Sequence, residues 1–246
     1  MKKIGILLLL GASVVLSNNV FAQATKPGDI NIDIGIGFGL YGTSQSNTYK
    51  ITADINGVPF SDSNTRDTTD GAASTVIPIN IEYVLSNKFG AGLDITYNNY
   101  FIDSDDREYT DNVRAYDFGL KFHYHPLSSD VYDLVIGLGG GISMIKWNFN
   151  SVFDPSSGIY STASSASGTG FYWNLDIKNK FYFGNHFGMF LSMGYKGYAY
   201  PSIGRDNSEL EAVFNSIPGV SNTKVEDDLN WKLNGANIMI GLAVKF

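Results

Sequence analysis

Residues 30–41 run Ile30-Asn31-Ile32-Asp33-Ile34-Gly35-Ile36-Gly37-Phe38-Gly39-Leu40-Tyr41. The large apolar side chains fall on even numbers, and Asn, Asp, Gly and one Tyr fall on odd numbers. Successive side chains of an extended strand leave on opposite faces, so this stretch has one bulky apolar face and one small or polar face. A helix would scatter the same residues around its circumference. The stretch is a strand between two unlike environments.

The same alternation recurs to give eight strands. The second carries Ile77, Ile79, Ile81, Tyr83 and Leu85, and the third Phe89, Ala91, Leu93, Ile95 and Tyr97. The fourth has Tyr116, Phe118, Leu120, Phe122 and Tyr124, and the fifth Tyr132 to Met144. Phe171 to Phe181, Phe187 to Tyr195 and Ile238 to Phe246 complete the set. Short turns near 86–88, 126–130 and 184–186 alternate with long polar segments near 44–73, 103–112, 148–168 and 201–230. The reading is all-β: an eight-stranded antiparallel barrel with short turns at one end, long loops at the other, and both chain ends at the short-turn end. Pro78 lies inside a strand and predicts a bulge, because proline cannot donate to a ladder. Ser161 to Gly170 is rich in Ser, Ala, Gly and Thr and reads as loop.

Volume decides which face points outward. A soluble barrel would turn its apolar face inward, but an eight-stranded interior is just wide enough for its own side chains. Five or six large residues per strand, about forty in all, would overfill it. The Gly, Ser, Asn, Asp and Lys of the other face would fit. The bulky face therefore meets lipid, where a closed barrel leaves no backbone group unpaired. Aromatics toward the strand ends form two girdles: Tyr83, Phe89, Tyr124, Tyr132, Phe187 and Phe246 below, and Tyr97, Trp147, Phe171, Trp173, Tyr195 and Trp231 above.

The chain begins with Lys2-Lys3, an apolar run from Ile4 to Leu16 and Val20-Phe21-Ala22, the pattern of a secretory signal. Residues 1–22 are read as that signal, cleaved between Ala22 and Gln23, and 23–246 as one barrel domain. There is no cysteine, which removes disulfides and thiolate metal sites, and net charge −7 argues against a nucleic-acid partner.

Such a signal, a Gly-alternating first strand and a final strand ending in Phe246 resemble the outer membrane protein beta-barrel domain family. Size and loop pattern look like the OmpA, OmpX and OmpW barrels, and the Phe21-Ala22-Gln23 end looks like those of Bacteroidota. The resemblance implies integral residence in the outer membrane, among its lipid and lipopolysaccharide. It also implies Phe246 as part of the signal read by the barrel-assembly machinery. Small barrels with acyltransferase, deacylase or protease activity place a catalytic histidine toward the cell exterior. Here His123, His125 and His186 all lie at the short-turn end, so no general base for such chemistry stands there and no enzyme is expected. No cofactor is implied.

The lumen face carries Asp33, Glu82, Asp94, Asp117, Asp133 and Asp176 against Arg114, Lys121, Lys178, Lys180, Lys196 and Lys245. Charges taken from water must pair, so a salt-bridged network is expected, with Asp94–Lys121 the first pair and cations between Asp33 and Glu82. His123 and His125 share a face with Asp133 near, a set more suited to hydrogen bonding than to metal. Acids crowd the second loop (Asp103, Asp105, Asp106, Glu108, Asp111) and the fourth (Asp206, Glu209, Glu211, Glu226, Asp227, Asp228) without an EF-hand pattern. Two functions remain: a non-enzymatic structural or surface protein whose acidic loops meet an extracellular ligand or host surface, and a small porin-like channel for ions or small solutes.

Overall fold

The computed structural model describes residues 25–102, 112–149, 153–154, 159–160 and 164–246. The expected signal with its Ala22/Gln23 junction, the acids of 103–111 and the first three residues of the Ser161 to Gly170 segment lie outside these residues. The elements are β1 (Ile30–Ile55), β2 (Val58–Ser86), β3 (Phe89–Ile102), β4 (Asn112–Ser128), β5 (Tyr132–Phe149), β6 (Phe153–Asp154), β7 (Ile159–Tyr160), β8 (Ser164–Tyr182), β9 (Phe187–Arg205), α1 (Ser208–Asn215) and β10 (Val220–Lys245). Eight strands close a barrel in the order β1-β10-β9-β8-β5-β4-β3-β2, every pair antiparallel, and β6 with β7 forms a separate two-residue ladder. The main chains of Ile30 and Phe246 exchange two hydrogen bonds of 3.0 Å where the first and last barrel strands meet.

Residue parity sorts the wall into two surfaces. On β1 the odd residues Asn31, Asp33, Tyr41 and Thr43 are buried, while Ile34, Ile36, Phe38 and Leu40 are exposed. Outward-facing pairs of aromatic rings mark the ends of this apolar belt: Phe89–Tyr124 and Tyr132–Phe181 at the short-turn end, Tyr97–Tyr116 and Trp173–Tyr195 at the other. From Tyr124 to Tyr116 on β4 is about 27 Å along the strand, or about 21 Å of height at a tilt near 40°. That approaches the ~25 Å apolar band of membrane barrels.

Several local expectations are corrected. Segments 44–73 and 201–230 are mostly strand. β1 runs on to a tight turn at Asn56 (φ 53°) and Gly57 (φ 80°), and β2 returns alongside it in unbroken register from Val58. Both positive φ values suit the Asn-Gly hairpin turn. β10 begins at Val220 and pairs with this extension of β1. Its other edge is capped by side chains: Thr223 N–H donates to Asn215 Oδ1 and Val225 N–H to Glu211 Oε1, both at 2.9 Å, while Asn207 Nδ2 donates to the Val225 carbonyl at 3.2 Å. Ser164 to Gly170, read as loop, is the start of β8 and pairs with β5. Glu226, Asp227 and Asp228 stand on β10 rather than in a loop, with ion pairs Lys50–Glu226 at 3.5 Å and Arg205–Asp227 at 3.7 Å.

Pro78 makes no bulge. It pairs with Thr96 in continuous register with β3, while the ladder to β1 skips the positions opposite Pro78 and Ile77 and resumes in the same register. A missing N–H opens a gap in the ladder without requiring an extra residue. Trp147 and Trp231, placed in the upper girdle by the sequence reading, are buried in the lumen. Their parity matches inward Ile145 and Leu233 rather than outward Met144 and Ile238.

Candidate functional site in the barrel lumen

Side chains from every barrel strand converge inside the wall in two tiers. At the short-turn end the centre is Glu82 on β2. His125 of β4 reaches Glu82 Oε1 through Nε2 at 2.7 Å and both Asp133 oxygens through Nδ1 at 3.0 Å. Ionised carboxylates only accept, so these bonds need an N–H on each ring nitrogen. The three groups together hold one proton more than a neutral ring with two carboxylates would. His123 Nδ1 lies 3.5 Å from the same Glu82 oxygen, and Asn31 donates to Oε2 at 3.1 Å.

Lys180 stands between Asp33 (3.0 Å) and Glu82 (3.7 Å), and Lys178 reaches Asp33 at 2.6 Å and Asn80 Oδ1 at 3.0 Å. Asn80 passes the chain of bonds to Asp94 at 2.6 Å, and Asn174 (2.8 Å) and the Tyr172 hydroxyl (3.1 Å) donate to the same carboxylate. Lys121 pairs with Asp176 at 2.6 Å instead of with Asp94, so that expected first pair is corrected. Asp94 and Lys121 lie at similar depth on neighbouring strands, but Lys121 reaches past β5 to Asp176 of β8. Room for this reach comes from Gly137 of β5: a Cβ there would lie 2.5 Å from Lys121 Cε and 2.6 Å from Asp176 Oδ1.

Higher in the lumen Asp117 gathers four donors: Ser143 at 2.6 Å, Asn98 and Tyr198 at 2.9 Å, and Lys196 at 3.3 Å. Lys196 also donates to Thr96 at 3.2 Å. Above this layer the lumen is aromatic. Tyr41, Tyr100, Tyr198, Tyr200, Trp147 and Trp231 pack ring to ring, with centroids such as Trp147–Trp231 at 5.6 Å and Tyr100–Trp231 at 5.8 Å.

Arg114 is the clear correction to the expected lumen set. It points outward, two residues from exposed Tyr116 and therefore on the same face. The four buried lysines Lys121, Lys178, Lys180 and Lys196 then face the six buried carboxylates Asp33, Glu82, Asp94, Asp117, Asp133 and Asp176, with His125 between two of those acids. Lys245 sits at the short-turn end with its ammonium 5.3 Å from the Tyr182 ring centroid. The neutral partners, Asn80, Asn98, Ser143, Asn174 and Tyr198, were not singled out from sequence, although each has inward parity. Among the described residues no group of His, Asp and Glu is arranged to hold a metal ion. The void among Asn80, Asp94, Thr96, Lys121 and Lys196 is about 10 Å³, room for roughly one water molecule. Within the described residues the arrangement pairs buried lysines with buried carboxylates across the lumen.

No protein-family model matches the sequence, and no curated protein matches it. Among solved structures, the chain is similar to the outer membrane protein OprG from Pseudomonas aeruginosa, at 15% identity over 90% of this chain and 97% of that one, with a TM-score of 0.52. It is more distantly similar to a major outer membrane protein from Thermus thermophilus (11% identity, 82% and 99% covered, TM-score 0.48). Ail, the attachment invasion locus protein of Yersinia pestis, is further away (14% identity, 90% and 100% covered, TM-score 0.41). The likeness to OprG shows the fold: a small closed barrel of the outer-membrane type.

Proposed function

We propose that this chain is a non-enzymatic integral protein of the outer membrane, with a closed lumen and a surface role carried by its projecting strands. The observation that supports the reading is the run of buried charged and aromatic side chains along the lumen, with a void of only about 10 Å³ among Asn80, Asp94, Thr96, Lys121 and Lys196. The belt of exposed Ile, Leu and Phe between aromatic girdles supports membrane residence, since a soluble surface rarely exposes so continuous an apolar band. The basic and apolar leader ending at Ala22 supports export, with Gln23 as the mature start. Outward, terminal Phe246, bonded to Ile30, suits recognition by the barrel-assembly machinery.

The long-strand end faces the exterior in this reading. Beyond outward Leu40, β1 continues to Ile55, about 50 Å along the strand, with β2 and β10 beside it. That sheet presents Asp54, Asp62, Asp67 and Asp70, while Glu226, Asp227 and Asp228 line β10, an acidic surface for an extracellular ligand or host surface. Enzyme activity is disfavoured because His123 and His125 are buried among carboxylates at the opposite end.

Single-channel recording on the refolded barrel tests the closed lumen. The expected trace is flat; large, steady conductance makes the porin-like channel the better reading. Membrane insertion is tested separately: boiled and unboiled samples should migrate differently on a gel, and identical migration with recovery from the soluble periplasm removes the membrane reading.

A further inference from the structure

The outer wall formed by β4 and β5 passes from apolar to cationic within two rows of side chains. Phe118 pairs with Ile142, Tyr116 with Met144 one row higher, and Arg114 with Lys146 in the next. Arg114 and Lys146 are direct cross-strand partners, both exposed on the outward face, flanked in register by Asn99 and Ser167. Among the described residues neither makes an ion pair. Like charges directly opposite each other destabilise a sheet, so the pair is explained best by an anion that sits on both.

Depth and donor chemistry name that anion. Arg114 lies two residues beyond girdle residue Tyr116, roughly 7 Å along the strand. Just outside the hydrocarbon is where headgroups lie. A guanidinium and an ammonium together offer a fork and a point charge, donors only. A phosphate monoester matches them with its charge near −2 and three acceptor oxygens. Asn99 and Ser167 add neutral hydrogen-bonding groups at the margins.

We propose that Arg114 and Lys146 form a binding site for a lipid-borne phosphate monoester in the leaflet at the long-strand end. The site rests on the membrane reading above and adds a specific lipid contact to it. Full-length barrel refolded in neutral detergent, its folding checked by heat-shifted mobility, is mixed with lipid A, with dephosphorylated lipid A, or with lipid A plus an equal concentration of inorganic phosphate. Retained lipid is counted by native mass spectrometry. Wild type should retain lipid A over the dephosphorylated form by about tenfold, near 1.4 kcal/mol, and inorganic phosphate should leave that unchanged. The double variant Arg114→Gln with Lys146→Gln should lose the preference, whereas Lys232→Gln, which removes an outward cation of β10, should keep it. The single variants carry the same comparison if the double variant does not fold. Equal retention of the two lipids by wild type, a preference surviving in the Arg114 and Lys146 variants, or displacement by inorganic phosphate would each overturn the site. Absence of heat-shifted mobility in the wild type would instead overturn the membrane reading before any lipid is added.

Discussion

Replacing Lys121 by alanine should unsettle the barrel more than any change of similar size on its outer wall. Lys121 Nζ lies 2.6 Å from Asp176 Oδ1, and both side chains are almost wholly buried, at 3% and 4% exposure. At an effective permittivity near 20 their attraction is about 6 kcal/mol. Without Lys121 the carboxylate keeps a 3.3 Å bond from Ser192 Oγ, which falls well short of replacing the ammonium. Leaving one charge of a buried pair alone typically costs about 3–5 kcal/mol, a large share of the roughly 5–15 kcal/mol of a folded domain. Lys121→Ala with Asp176→Ala leaves neither charge alone and should recover about half of the loss or more, a coupling of roughly 2 kcal/mol. Urea unfolding of the barrel in lipid vesicles, followed by tryptophan fluorescence, measures all three variants. A Lys121→Ala barrel within about 1 kcal/mol of wild type, or a double variant no better than the sum of the singles, refutes the assignment of this pair to lumen stability.

Gly137→Ala should weaken the same ion pair without touching a charge, because the added methyl would meet Lys121 Cε at 2.5 Å; a loss of about 1–3 kcal/mol in vesicle unfolding is expected, and an unchanged midpoint counts against the close approach. Leu93→Lys, midway between the girdle residues Phe89 and Tyr97, should cost about 2–4 kcal/mol, and Phe101→Lys, beyond the girdle on the same face, about 0–1 kcal/mol. Equal costs would mean the belt does not sit in lipid. Phe246→Ala should lower outer-membrane levels at native expression while leaving the urea midpoint of the refolded barrel within about 0.5 kcal/mol; unchanged levels would remove the assembly role of the terminal aromatic.

The barrel part of the fold was legible because the two faces of those strands carry unlike side chains, and alternation records the difference. Ile30 to Leu40 is the plainest case. Where both faces meet water, as in Gln45 to Asp70, alternation fades although Thr, Ser and Tyr still suit strands, and the segment reads as loop. Asn56-Gly57 between Ile55 and Val58 was the available hairpin signal. Arg114, Trp147 and Trp231 depart from expectation for another reason: residue type points one way and parity the other, and parity holds for all three. The exchange of Asp94 for Asp176 as partner of Lys121 was not legible. Position along a strand gives depth, whereas partners in a lumen depend also on bearing around the axis and on side-chain reach past a glycine.

The packed interior constrains the order of assembly. In the proposed orientation the hairpin tip at Asn56-Gly57 and the polar half of β10 must reach the far side of the bilayer. Their backbone amides, unpaired, cannot cross hydrocarbon singly. A finished lumen, occupied by the rings of Trp147, Trp231 and Tyr100, gives them no conduit either. The projecting segments must therefore be delivered while the cylinder is still open, before the β1–β10 seam zips and the aromatic tier settles. Closure is then a one-way latch: once it forms, the outer sheet can return only by breaking a ladder that runs from Asn31 to Ile55 of β1.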